Sequence, residues 1–72
     1  MTDASAAQLN RVGALVKRFG AMRGRSAAEV TAALLDTKTL KRLGYRGDGH
    51  LTPTQAEAAR QILETWIRRA GG

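Results

Sequence analysis

Two four-residue runs, Ser26-Ala27-Ala28-Glu29 and Thr52-Pro53-Thr54-Gln55, constrain the fold of this chain more than any other feature. Each sets a hydroxyl three residues ahead of a Glu or Gln, so that the two side chains reciprocally satisfy backbone N–H groups that a helix start leaves without partners. In the second run Pro53 takes the first helical position, where its missing N–H costs nothing. Apolar residues at three- and four-residue steps follow both runs. The chain is therefore expected to be helical almost throughout, with helices begun at fixed points.

The same spacing places a first helix at about residues 4 to 22, with Leu9, Val12, Val16 and Phe19 inward and Leu15 and Met22 widening the stripe. Asp3 or Ser5 is its N-cap, and Gly20 or Gly24 supplies the left-handed residue that ends it. Gly13 and Gly20 weaken this helix by roughly 1 kcal/mol each relative to Ala and permit close approach of another helix. A second helix, about 26 to 35, turns Val30, Ala33 and Leu34 inward. Asp36 or Thr37 caps a third, about 38 to 43, stopped by Gly44, with Leu40 and Leu43 as its only apolar side chains. The fourth, about 53 to 70 and ended by Gly71, buries Ala59, Ile62, Leu63, Trp66 and Ile67 and exposes charges of alternating sign, with Glu64 and Arg68 as an i,i+4 pair. The fold class is all-α: one domain over residues 1 to 72, a compact orthogonal bundle of four helices with a Gly-rich loop at 44 to 51. A hairpin in that loop would make the domain winged-helix-like.

Charge points outward. Twelve Lys and Arg residues face six acids, for a formal net charge of +6. Nine of the twelve lie in two acid-free stretches, Arg11, Lys17, Arg18, Arg23 and Arg25, then Lys38, Lys41, Arg42 and Arg46. A fold that presents both as one surface would bind a polyanion. A core this small buries only roughly 60% of the surface exposed by the unfolded chain, so a homodimer is a natural source of extra stability. The absence of cysteine removes disulfides, thiolate zinc sites and thiol nucleophiles and suits a reducing cytoplasm. The N-terminal residues lack signal-peptide character, and no stretch is long and apolar enough to span a bilayer.

No cofactor, metal or catalytic site emerges. The run Gly47-Asp48-Gly49-His50-Leu51-Thr52 is similar to the middle of an EF-hand loop, but that register puts Gly44, Arg46 and Gln55 where the first, third and twelfth ligands belong. His50 has only Asp48 as a local orienting acid and no second His or Cys as a co-ligand. Ser5 and Ser26 are accounted for as caps, which leaves no nucleophile and argues against an enzyme. Phe19 and Trp66 belong to apolar stripes, and Tyr45 is expected to pin the loop to the core.

The second and third helices suit a helix-turn-helix, with Lys38, Thr39, Lys41 and Arg42 at a groove and its phosphates and Arg46 on the adjacent backbone. Thr39-Leu40-Lys41-Arg42-Leu43 followed by Gly44-Tyr45-Arg46 resembles the recognition helix and wing of the small MerR-type and excisionase proteins. It departs from them in its abrupt Leu35-Asp36-Thr37 turn and in the shortness of the third helix. We expect a nucleic-acid-binding regulator or accessory factor, with double-stranded DNA ahead of RNA, using Lys17, Arg18, Arg23, Arg25, Lys38, Thr39, Lys41, Arg42, Arg46 and His50. Thr39 and Arg42 are the residues expected at base edges. The rival is an adaptor or inhibitor that docks its basic face on an acidic protein surface around exposed Met22 or Leu35. Association with a membrane surface ranks last.

Overall fold

The computed structural model describes residues 3–47 and 50–71. Asp48 and Gly49, on which the EF-hand comparison and the His50–Asp48 pairing rest, lie outside the described residues. The chain is all-α: α1 (Ala6–Arg23), α2 (Ala27–Leu35), α3 (Lys38–Arg42) and α4 (Pro53–Ala70), with no strand among the described residues. The loop after α3 accordingly forms no strand-built wing there.

Three helices start on reciprocal caps. Ser26 and Glu29 close one, Thr52 and Gln55 another. Ser5 and Gln8 form a third: the Ser5 hydroxyl accepts from Gln8 N–H at 3.2 Å and the Gln8 Oε1 accepts from Ser5 N–H at 2.9 Å. α1 therefore begins two residues later than the spacing predicts. Ala4 is instead buried, and its N–H donates to the Leu51 carbonyl at 2.8 Å. Thr37 is the N-cap residue of α3, but its hydroxyl donates back to the Leu34 carbonyl at 2.8 Å, so α3 starts without a side-chain cap. α3 ends at Arg42, one residue short of expectation, and Gly44 follows at φ 87°.

α1 and α4 run side by side in the same direction. Ala4 meets Leu51 at their starts, Phe19 and Trp66 stack tilted at 5.4 Å near their ends, and the Met22 methyl approaches the Gly71 backbone. Residues 24–52 must therefore carry the chain back along the pair, and α2, α3 and the loop make that return. The core between them gathers Val12, Val16, Val30, Leu34, Leu40, Ala59 and Leu63. A smaller cluster, Ala4, Leu51 and Ala56, closes the other end, and Leu35 and Tyr45 pack against both.

That double role corrects the expected facing of α2. Leu35 is half-buried and Ala33 is exposed, because Val30 and Leu34 face α1 and α4 while Leu35 turns toward the second cluster. Leu9, expected inward, is exposed by more than 40%, as are Met22 and Leu43. On α4, Arg60 binds both Glu57 and Glu64, reaching Glu64 at 2.6 Å, so Glu64 pairs with Arg60 in place of Arg68.

The two interior glycines of α1 differ. A Cβ on Gly20 would stand 2.6 Å from the Arg25 carbonyl oxygen, whereas one on Gly13 would meet nothing within 4 Å. The Gly20 carbonyl also accepts the N–H of Arg25 at 2.8 Å and that of Gly24, which ends the helix at φ 66°. Gly20 thus permits the sharp turn into α2. Gly13→Ala is expected to raise stability by about 0.5–1 kcal/mol through helix propensity alone. Gly20→Ala is expected to lower it by about 1–3 kcal/mol, because the backbone oxygen cannot move aside. Thermal unfolding followed by circular dichroism should show the two midpoints moving in opposite directions.

Candidate nucleic-acid interface

A buried side chain and a hydrogen bond anchor α3 to the bundle. Leu40 is fully buried, and the Gln55 side chain, itself only 3% exposed, donates from Nε2 to the Leu43 carbonyl at 2.9 Å. The Gln55 Oε1 meanwhile accepts the Thr52 N–H at 3.0 Å, so a single amide caps α4 and ties the end of α3 to it. Steps of about 100° per residue then turn Lys38 and Arg42 away from Leu40. Lys38, Thr39, Lys41, Arg42 and Arg46 are all exposed. Lys41 is drawn to Asp36 at 2.9 Å. Lys38, Arg42 and Arg46 form no ion pair among the described residues. His50, exposed, lines a shallow depression with Arg46, Asp3, Thr52 and Gln55.

The first basic stretch is divided. Arg11 faces the groove between α1 and α4, close enough to Glu57 to favour its charged form. Lys17 and Arg18 are exposed on the side of α1 away from the buried Val12, Val16 and Gly20. Arg23 and Arg25 border a cleft with Glu29 and Ala33 at the start of α2. Lys41 and Arg46 border another with Ala32, Leu35 and Asp36 at its end. Ala33 and the Ala32–Leu35 edge lie on opposite flanks of α2, whose nine residues span about 13 Å. The two basic groups therefore sit at different ends and flanks of α2 and border different clefts.

Sequence reasoning missed one participant. Arg69 joins Arg23 and Arg25 at the first cleft, although the mixed charge of α4 marked that helix as scaffold. The last turn of α4 does carry Arg68 and Arg69, but only the parallel pairing with α1 brings Arg69 beside Arg23. No helix among the described residues is long and apolar enough to cross a membrane. No group of three or more His, Cys, Asp or Glu side chains among them could hold a metal.

Glu57, on the scaffold helix α4, has a perturbed carboxyl. Hydrogen bonds from Arg60 hold the Glu57 carboxyl below its usual range, and Arg60 is raised in turn by Glu57. A lowered folded-state pKa stabilises the fold above the ordinary glutamate value, and the contribution is lost as pH falls through the lowered one. Glu57→Gln should therefore unfold at a lower temperature than the parent at neutral pH, with the difference closing in acid. Gln55→Met should cost about 1–3 kcal/mol by leaving the Leu43 carbonyl unpaired, and hydrogen exchange should show α3 losing most protection. Compared with known proteins, the chain matches no family model, no curated protein sequence and no solved structure.

Proposed function

We propose that the protein binds nucleic acid, double-stranded DNA ahead of RNA, through α3 and the loop that follows it. The observation carrying this reading is the division of α3 itself: Leu40 is buried while Lys38, Thr39, Lys41 and Arg42 are exposed, beside an exposed Arg46 and with Asp36 as the adjacent acid. Such a surface holds phosphates by releasing their counterions. Lys38, Arg42 and Arg46 are the principal phosphate contacts, with Lys41 shared between Asp36 and the ligand and His50 at the margin. Thr39 and Arg42 are the candidates for base edges, in the manner of a helix-turn-helix with an unusually short second helix. Arg23 and Arg25, with Lys17 and Arg18, form a separate contact at the far end of α2. A binding role without catalysis, as a transcriptional regulator or architectural accessory factor in the cytoplasm, suits this surface, and a homodimer would add to it.

The test is binding of a labelled DNA duplex followed by fluorescence anisotropy across a salt series. The parent should lose affinity steeply with salt. Arg42→Ala or Lys38→Ala should each flatten the plot of log affinity against log salt by about 0.9, the value of one phosphate contact on duplex DNA. No binding at low salt, or slopes unchanged in both variants, would overturn the reading.

A further inference from the structure

The cleft at the opposite end of α2 has a different chemistry from α3. Its floor is apolar, built from half-buried Phe19 and Trp66, buried Val30 and exposed Ala33, and its rim carries Arg23, Arg25, Arg69 and Glu29. It measures about 300 Å³ and opens to solvent, enough for one or two side chains and too little for a folded edge. Glu29 is already engaged: its carboxylate accepts the Ser26 N–H at 3.2 Å and pairs with Arg25 at 3.7 Å. Arg23 and Arg69 form no ion pair among the described residues.

From this juxtaposition of an aromatic floor and an arginine rim, we propose that the cleft docks a short acidic peptide segment of a partner protein. One large apolar side chain of the peptide rests on the Phe19–Trp66 floor, and flanking carboxylates meet Arg23 and Arg69. Charge complementarity selects this occupant. A neutral apolar segment would cover the floor but leave the guanidiniums without counter-charges, and a basic one would be repelled. A nucleotide would satisfy the arginines through its phosphate, but the floor's one polar group, the Trp66 indole N–H, offers no acceptor to the edges of its base, whereas an apolar side chain has no such edges to satisfy. Arginine also suits carboxylates in particular, because its planar fork can meet both oxygens at once. None of the lining residues belongs to α3 or its loop, and the cleft shares only Arg23 and Arg25 with the proposed nucleic-acid contacts.

Trp66 is the only tryptophan, and its emission reports on the cleft directly. The protein would be titrated with the peptide acetyl-EDFLDE-amide, with a second peptide in which lysine replaces each acid, with a third in which alanine replaces Phe and Leu, and with an oligothymidylate. The first peptide should shift Trp66 emission saturably. Reversing one rim charge in Arg69→Glu, or placing an acid on the floor in Ala33→Glu, should weaken it at least about tenfold. Both positions are exposed, and circular dichroism checks that each variant folds. Arg42→Ala should leave peptide affinity unchanged, which separates this site from α3. The proposal is overturned by the absence of a saturable shift, by equal binding of the lysine or alanine peptide, by unaltered affinity in both cleft variants, or by a shift produced by oligothymidylate and not by the peptide.

Discussion

The parallel pairing of α1 and α4 governs most of what surrounds it. Two helices of 18 residues laid in the same direction separate the end of the first from the start of the second by about 27 Å. The intervening residues must cross that distance while covering one side of the pair. α2 covers the first part with Val30 and Leu34, and α3 continues with Leu40. The sharp entry into α2 is possible because Gly20 lets the Arg25 carbonyl sit against the α1 backbone. An antiparallel pair would have needed only a short connection and would have left no reason for α3 to exist.

The return path also explains why α3 can be so cationic. It is anchored through Leu40 and the Gln55 amide, and neither constrains the rest of its surface. A helix of five residues has little stability of its own, so its persistence depends on those two anchors. The position that carries the candidate interface is thus among the more weakly held parts of the fold, as binding elements on small scaffolds commonly are.

Much of the architecture was readable from local chemistry. α4 was legible to the residue because Thr52, Pro53 and Gln55 declare its start and Gly71 its end. The second helix was placed from Ser26 and Glu29, and the exposure of the α3 cations followed from its two leucines. What could not be read depended on third bodies. Gly13 and Gly20 look alike in sequence, and only the course of the Arg25 backbone distinguishes them. The exchange of Ala33 for Leu35 on the inward face of α2 arises because that helix touches two apolar clusters, and a single stripe cannot express this. The division of the basic residues has the same origin: charge order along a chain carries no information about the end of a bundle to which each group is delivered. Arg69 escaped notice for that reason.

Parallel helices also align their dipoles. The starts of α1 and α4 lie together with no acidic side chain in either first turn, and each contributes roughly half a positive elementary charge. Their ends lie together too, where Arg23, Arg68 and Arg69 stand over two negative poles. Formal charges therefore overstate the potential at the arginine-rimmed cleft and understate it beside Arg46 and His50, which border the two starts. Along the α1–α4 direction the two aligned dipoles thus reinforce the positive potential at the helix starts and offset part of it at the helix ends.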